Sequence, residues 1–368
     1  MSVAHADLDA SPRAGAGRHA FDLDDDASYR RWRAWKLRHR TRDAAALAVD
    51  VRDLRAVQPA ERARLLQTIG RHGVAVYRSP QREAASDLPR ALGAQLGLVR
   101  LHANWLADED GISPIAVARA GDAAAGEAPA ARGEFIPYTD RAIGWHTDGY
   151  YQSDAQRILG MILHCVRPAA HGGETALADP EQLFIALRDE DPALVRALMH
   201  PQAMSIPPRE DEAGVARAEQ AGPVFSLLGG GPGRAQGTAP AARAGRSSAG
   251  KDGGVTGHLR LHMRYTARTR SIRWREDAAT REAAARITAL LAQGDFVLRL
   301  RLEAGMGVVG HNVLHLRTAF TDDPAAPRLL YRARYLDRIV APEEDAWRLE
   351  GAEGVEGVEG TAGTEGGG

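Results

Sequence analysis

The centre of the chain carries short apolar segments that are bounded by turn-forming residues. The clearest is residues 158–166 (ILGMILHCV), and similar segments follow at 296–302, 307–316 and 328–336. Short apolar runs between turns are typical of buried β-strands. No regular alternation of strand and helix, as in a parallel βαβ sheet, is visible. The sequence therefore predicts a mainly β protein, a sandwich or barrel with flanking helices packed outside it.

The predicted domain is flanked and interrupted by segments without apolar periodicity. Residues 1–25 and 346–368 are rich in small and acidic residues, so we expect a disordered N-terminal segment and a disordered tail. Residues 229–256 are rich in glycine and predict a flexible, exposed insertion, because such a segment cannot offset its ordering entropy. We expect residues 26–345 to form a single domain around that insertion.

Composition argues against several classes of protein. The 47 basic and 48 acidic residues are nearly balanced and form no basic stripe with interleaved aromatics, so we expect no nucleic-acid partner. The single cysteine, Cys165, excludes a disulfide framework and a cysteine-rich zinc site within one chain. No signal-peptide core and no apolar run of membrane-spanning length are found, which predicts a cytoplasmic protein without a membrane partner.

Residues 144–151 (GWHTDGYY) place His146 and Asp148 one residue apart. Alternate residues of a strand point to the same side, so both side chains would face one way and Thr147 the other. Two histidines and one carboxylate form the facial set that suits non-heme iron(II), and this pair would supply two of the three. A lone His-x-Asp pair is more often a hydrogen-bonded pair in a turn, so the metal hypothesis needs a third ligand.

Candidates for the third ligand lie in residues 310–320 (GHNVLHLRTAF), which contain His311 and His315 in one strand-like run. Arg328 begins the next predicted strand, and a guanidinium is suited to bind a carboxylate through two parallel hydrogen bonds. Arg332 is four residues further on and would share the same strand face. In a chain this rich in arginine, either could equally be a surface residue.

Four motifs in a fixed order resemble the taurine dioxygenase (TauD/TfdA) branch of the iron(II)/2-oxoglutarate-dependent dioxygenases. They are WHTDG at 145–149, PAAHGGET at 168–175, VLHLRTAF at 313–320 and RLLYR at 328–332. The segment GVAVYR at 73–78 is also similar to an early strand of the family. Each motif is weak alone, and the ordered set carries the resemblance over roughly residues 50–340.

The resemblance implies a fold and an activity. The family fold is a double-stranded β-helix, a jelly-roll core of the clavaminate synthase-like type. The implied enzyme is an oxidoreductase that hydroxylates or oxidatively cleaves a small organic substrate. It would use Fe(II), O2 and 2-oxoglutarate as cosubstrate, and it would form succinate and carbon dioxide. The sequence does not identify the small-molecule substrate. Members of the family often assemble as dimers or larger, which leaves a homo-oligomer open.

The resemblance also assigns roles to residues at matching positions. The iron ligands, which would form the catalytic centre, are His146, Asp148 and His315. Thr175 matches the hydroxyl that contacts the distal carboxylate of 2-oxoglutarate, and Arg328 matches the arginine that forms a salt bridge with that carboxylate. Arg332 falls where some members place an arginine toward the substrate, which is a looser transfer.

Two assignments stay open. The family commonly has Asp-Asn or Asn-Asn before the distal histidine, whereas this chain has a His-Asn pair, so His311 rivals His315 as a ligand on the same strand face. The Arg-Thr-Ala-Phe that follows favours His315. Tyr150 and Tyr151 come directly after the ligand pair, where they either line the substrate pocket or pack beside it.

Two other hypotheses belong to different classes. A cupin-like metalloenzyme that does not use 2-oxoglutarate would leave Thr175 and Arg328 without their roles and would form no succinate. A non-catalytic binding protein on the same fold would not bind iron. The dioxygenase is favoured because five residues match the family in the expected order: His146, Asp148, Thr175, His315 and Arg328. Succinate formation and iron binding distinguish it from the other two hypotheses.

Overall fold

The structure is a computed structural model that describes residues 19–102, 111–117, 135–211, 214–229, 258–269 and 272–349. Its helices are α1 (Asp26–Arg38), α2 (Pro59–His72), α3 (Asp87–Gln95), α4 (Pro180–Glu190), α5 (Pro192–Leu198), α6 (Ala278–Gln293) and α7 (Ala346–Leu349). No helix in these ranges is both long and apolar enough to cross a membrane.

Strands make up most of the regular structure in the centre of the described chain. The first ten are β1 (Ala48–Asp50), β2 (Val74–Arg78), β3 (Ser113–Ile115), β4 (Ile143–His146), β5 (Gly160–Arg167), β6 (His171–Gly172), β7 (Thr175–Ala178), β8 (Met204–Ile206), β9 (Arg209–Asp211) and β10 (Gly214–Arg217). The others are β11 (Gln220–Gly222), β12 (Phe225–Leu228), β13 (Arg260–Met263), β14 (Arg273–Trp274), β15 (Val297–Leu300), β16 (Met306–His311), β17 (Leu314–Arg317), β18 (Phe320–Thr321) and β19 (Leu329–Tyr335). The chain is therefore a mixed helix-and-sheet protein with many short strands.

Two larger sheets pack face to face. One has six strands in the order β1-β2-β16-β5-β19-β3, parallel between β1 and β2 and antiparallel elsewhere. The other has four antiparallel strands in the order β15-β7-β17-β4. Val76, Val308 and Leu330 from the first sheet share one buried cluster with Leu177 and Leu298 from the second. Burying such side chains contributes about 1.5–3 kcal/mol each.

Helices cover the outer faces of both sheets. Leu65 of α2 and Leu88 of α3 pack against the six-stranded sheet in a second buried cluster. Phe184 of α4 and Ile287 of α6 belong to a third cluster, which reaches Leu314 of the four-stranded sheet. Helices outside a strand-rich centre are what the sequence predicts.

The start of α4 confirms a prediction from the sequence. The pair Asp179-Pro180 predicts an N-cap followed by proline at the first helical position. The Asp179 carboxylate accepts a hydrogen bond of 2.9 Å from the Glu181 amide, and Pro180 is the first residue of α4. The helix therefore begins directly after β7.

The segments predicted to be disordered fall mainly outside the described residues. Residues 1–18, 230–257 and 350–368 are outside them, as is the segment 118–132, which the sequence predicts to be a loop. At the edge of the first segment, Phe21 is buried and packs edge-on against Trp32, with ring centroids 5.0 Å apart. Apolar packing therefore extends a few residues into the ends predicted as disordered.

The prediction of one strand over residues 307–316 is wrong. The chain forms β16 in the six-stranded sheet, leaves it at Asn312, and forms β17 in the four-stranded sheet. At the crossing, the Asn312 backbone amide donates 3.1 Å to the Leu159 carbonyl. His311 and His315 therefore lie in different sheets, although their spacing suits one strand face.

Candidate metal centre and adjoining cavity

Two paired strands bring two histidines side by side. His146 ends β4 and lies directly opposite His315 of β17, with ring centroids 4.2 Å apart. Asp148 lies in the turn that follows β4. One ligand atom from each of the three residues lies within 4.8 Å of the other two. Among the described residues, no other set of three or more His, Cys, Asp or Glu side chains meets this condition.

Backbone carbonyls fix the orientation of both imidazoles. Nδ1 of His146 lies 2.9 Å from the Gly144 carbonyl, and Nδ1 of His315 lies 3.0 Å from the Val313 carbonyl. A carbonyl oxygen only accepts, so each Nδ1 carries the proton and each Nε2 keeps its lone pair. A backbone carbonyl on the distal ring nitrogen is the usual support of a metal-ligating histidine.

A tight turn brings Asp148 to the two histidines. The prediction that both His146 and Asp148 lie in one strand is wrong, because β4 ends at His146. Thr147 instead bonds back to Tyr265, whose amide lies 3.1 Å from its hydroxyl. Gly149 has φ +66°, and a Cβ there would lie 2.5 Å from Ile158 Cγ1. The turn therefore needs glycine.

The side chain of Asn312 holds the backbone of Asp148. Its Oδ1 accepts 2.8 Å from the Asp148 amide, and its Nδ2 donates 2.8 Å to the Asp148 carbonyl and 3.0 Å to the Ile158 carbonyl. Asn312 is buried, so these bonds form away from water. The residue that separates the two sheets thus also positions the carboxylate.

One oxygen of the buried Asp148 carboxylate has no partner. Oδ1 accepts 3.3 Å from Arg332, whereas Oδ2 is buried without a hydrogen bond. Burial alone would raise the pKa of this carboxyl, but the nearby Arg332 and Arg334 outweigh it and hold the pKa below its ordinary value. A buried, unpaired, charged oxygen is costly unless a cation binds it.

The two histidines are neutral at physiological pH. Burial lowers the pKa of His146 to about 3, and it also holds the pKa of His315 below its ordinary value. Neutral imidazoles are the form that binds metals. Two imidazole nitrogens and one carboxylate oxygen match the facial donor set of non-heme iron(II) sites.

Thr175 and Arg328, the two predicted 2-oxoglutarate contacts, are both buried. Thr175 is buried at the start of β7, opposite Arg317 of β17 and two cross-strand pairs along from Leu177 and His315. Arg328 is buried, with its guanidinium 5.0 Å from the centre of the Phe320 ring and its Nη1 unpaired. Burial lowers the pKa of Arg328. An unpaired buried guanidinium favours an anionic ligand.

A cavity of about 440 Å³ opens beside the candidate ligands. His146 and Asp148 line it together with three residues predicted to face substrate: Tyr150, Tyr151 and Arg332. The structure thus brings those three to the cavity, and Arg332 also contacts the Asp148 carboxylate at 3.3 Å. The volume lies within the usual range for small-molecule sites.

His311 does not join the centre. Its Nε2 lies 3.1 Å from the Ile339 carbonyl, and its Nδ1 lies 3.2 Å from Arg338. Both ring nitrogens are therefore in contact with groups outside the metal centre. Of the two histidines that compete on sequence grounds, only His315 lies beside His146.

Asn312, Arg217 and Arg334 are among the site residues that sequence reasoning misses. Asn312 holds the turn, and Arg217 and Arg334 line the cavity. Asn312 could have been found from the sequence, because the family commonly has an Asn before the distal histidine. Arg334 is two residues beyond Arg332 in β19 and so shares its face. Arg217 gave no signal, because only the fold brings the β9–β10 hairpin to the cavity.

The chain belongs to the taurine catabolism dioxygenase family. The family described as "Taurine catabolism dioxygenase TauD, TfdA family" matches residues 36–334. This match confirms the family that the four ordered motifs predict.

Relatives and solved structures extend the comparison. The chain is 34% identical over 202 residues to a uridine-5'-phosphate dioxygenase from Streptomyces sp, covering 53% of this chain and 62% of that protein. A uridine-5'-phosphate dioxygenase from Amycolatopsis sp is 36% identical over 83 residues, 23% of this chain and 29% of that protein. The match thus spans about three fifths of the length of the Streptomyces relative.

Two solved structures are similar in part. One is asparagine oxygenase with Fe(II), 3-hydroxyasparagine and succinate, with a TM-score of 0.47, 18% identity, and 75% of this chain and 79% of that chain covered. The other is the non-heme iron oxygenase OrfP with Fe and alpha-ketoglutaric acid, with a TM-score of 0.46, 16% identity, and 75% and 82% covered.

Proposed function

We propose that this protein is an iron(II)- and 2-oxoglutarate-dependent dioxygenase that hydroxylates or oxidatively cleaves a small organic substrate. The observation that carries the proposal is the unpaired, buried Oδ2 of Asp148 beside the two imidazoles whose Nδ1 atoms are fixed by carbonyls. Membership of the family supports the same activity.

His146, Asp148 and His315 would hold the iron. When bound, the metal would use O2 and 2-oxoglutarate to oxidise a C–H bond of the substrate, giving succinate and carbon dioxide. The chain itself supplies orientation and exclusion of water. The Gly144 and Val313 carbonyls fix the histidine rings, and the Asn312 side chain fixes the turn that carries the carboxylate.

Thr175 and Arg328 would bind the distal carboxylate of 2-oxoglutarate. The buried Arg328 Nη1 without a partner supports this role, because a carboxylate is the ligand that a guanidinium binds most specifically. Thr175 is also buried, at the start of β7, and its hydroxyl would donate to that carboxylate. Tyr150, Tyr151 and Arg332 would face the substrate in the cavity.

We further propose that the two facing sheets form the double-stranded β-helix core of a single domain, residues 26–345. The shared apolar cluster between the sheets supports such a jelly-roll core. A flexible insertion at 229–256, disordered ends, a cytoplasmic location and a homo-oligomer stay predictions from sequence and family.

The names of the two relatives supply the first substrate to test. Both are uridine-5'-phosphate dioxygenases, so uridine-5'-phosphate is the natural first choice. The full chain would be incubated with Fe(II), 2-oxoglutarate, O2 and this nucleotide, and succinate would be measured by mass spectrometry. We expect succinate formation that requires iron and is lost in Asp148→Ala. Iron binding without any succinate, with a panel of small anions as well, would instead support a metalloenzyme that does not use 2-oxoglutarate.

A further inference from the structure

The cavity beside the metal centre carries a large excess of positive charge. Five arginines line it: Arg209, Arg217, Arg268, Arg332 and Arg334. Among the described residues that line it, Asp148 is the one acidic side chain, and it is a candidate metal ligand. Guanidinium groups gathered in a concave, partly dry site repel one another and attract an anion from solution.

Two of these arginines meet at Tyr151. Arg334 is 4% exposed, and its Nη1 donates 3.2 Å to the Tyr151 hydroxyl. The Arg217 guanidinium lies 5.4 Å from the centre of the Tyr151 ring. One tyrosine therefore positions both charges, one through its hydroxyl and one through its ring.

Neither guanidinium forms a direct ion pair with a carboxylate in the described contacts, although the Asp148 charge acts on Arg334 from nearby. Besides Tyr151, Arg334 contacts the His102 ring at 3.5 Å. Arg217 donates 2.7 Å to the Pro207 carbonyl, and its buried Nε has no partner. Arg332 differs from them, because it already contacts Asp148. Burying guanidinium groups is costly unless an anion compensates their charge.

We propose that Arg217 and Arg334, positioned by Tyr151, bind a doubly charged phosphate monoester group of the substrate. The inference rests on the proposed function, since the same cavity reaches His146 and Asp148. It assigns substrate recognition to residues separate from Arg328, which would serve 2-oxoglutarate.

A phosphate monoester suits this site better than a carboxylate. It carries nearly two negative charges at neutral pH and three acceptor oxygens, so it can receive a forked pair of bonds from each guanidinium. A carboxylate offers one charge and two oxygens, which a single arginine satisfies. The rest of the cavity has apolar walls at Phe135, Ile136 and Pro208, against which the organic part of the substrate would pack.

The test is binding without turnover. Titration calorimetry under anaerobic conditions would measure the affinity of the full chain, with and without Fe(II) and 2-oxoglutarate, for uridine-5'-phosphate, its singly charged methyl ester, uridine and phenyl phosphate. We expect the nucleotide to bind about 100-fold more tightly than uridine and about 10-fold more tightly than the ester, since each charge-assisted hydrogen bond contributes on the order of a 10- to 100-fold change.

Variants assign the effect to the two arginines. Arg217→Gln and Arg334→Gln should each weaken phosphate binding about 10- to 100-fold, whereas Arg334→Lys should retain part of it. Arg299→Gln is the matched control, because Arg299 is exposed on β15, and it should bind like wild type. The absorption band of the iron–2-oxoglutarate complex, recorded in every variant, reports that the fold and metal site are intact.

Each outcome decides one proposal. The phosphate site would be overturned by equal affinity for uridine and uridine-5'-phosphate, or by no binding of uridine-5'-phosphate and phenyl phosphate. Wild-type affinity in both glutamine variants would overturn it as well. If those results came with an intact band, the proposed dioxygenase function would stand. Phosphate binding that depends on Arg217 and Arg334, in a chain that forms no band, would support the phosphate site while contradicting the dioxygenase.

Discussion

Replacing Asn312 with alanine should damage the metal centre without touching any candidate ligand. The substitution removes three buried hydrogen bonds, two to the backbone of Asp148 and one to the Ile158 carbonyl. At about 1 kcal/mol each, their loss predicts a decrease of about 3 kcal/mol in the free energy of unfolding. The turn that aims the carboxylate also loses its support, and such supporting contacts typically change metal affinity by about 10- to 100-fold.

Two measurements separate these effects. Urea unfolding of the metal-free chain gives the stability, and anaerobic iron(II) titration of the folded chain gives the affinity. Gln182→Ala is the matched control: Gln182 is also a buried amide, but it makes one bond of 3.3 Å to the Lys36 carbonyl. We expect this control to lose about 1 kcal/mol and to bind iron like wild type. Iron affinity within twofold of wild type in Asn312→Ala would refute the positioning role.

The remaining predictions concern the ligands, the cosubstrate and pH. Asp148→Ala should abolish iron binding and turnover, and wild-type succinate formation would contradict this. Arg328→Ala should weaken 2-oxoglutarate binding about 10- to 100-fold with little change in iron affinity, so equal losses of both would indicate misfolding. Burial, and then the charge of Arg338, lowers the pKa of His311 to about 3. In the unfolded chain His311 takes up a proton as the pH falls below about 6.5, whereas in the folded chain it stays neutral. The free energy of unfolding therefore decreases as the pH falls. Between pH 7 and pH 5, wild type should lose about 2 kcal/mol more than His311→Gln in urea unfolding, and identical losses would contradict the pKa shift.

The ligand residues could be predicted from sequence because local spacing and ordered motifs encode them. His146 and Asp148 are separated by one residue, and the motif around His315 is specific enough to choose it. The strand alternation that predicts this pair is nevertheless wrong, because Asp148 reaches the centre through a turn that needs Gly149. Family motifs preserve which residues meet, even where the local geometry differs from the one assumed.

The strand crossing and the cavity could not be predicted in the same way. Apolar residues lie on both sides of Gly310-His311-Asn312 within residues 307–316, and nothing in this pattern shows that the chain changes sheets at Asn312. Arg217 and Tyr151 are distant in sequence, and their contact exists only once the β9–β10 hairpin is placed. In a chain with so many arginines, composition alone could not distinguish a cavity arginine from a surface one.

The most direct test of the dioxygenase proposal is an anaerobic titration of the metal-free chain with iron(II) and then 2-oxoglutarate, following the weak visible charge-transfer band of the complex. Wild type would be compared with His315→Ala and His311→Ala. We predict that the band forms in wild type and in His311→Ala and is lost in His315→Ala, because only His315 lies opposite His146. Iron binding without a band in wild type, or a band that survives in His315→Ala, would contradict the proposed centre.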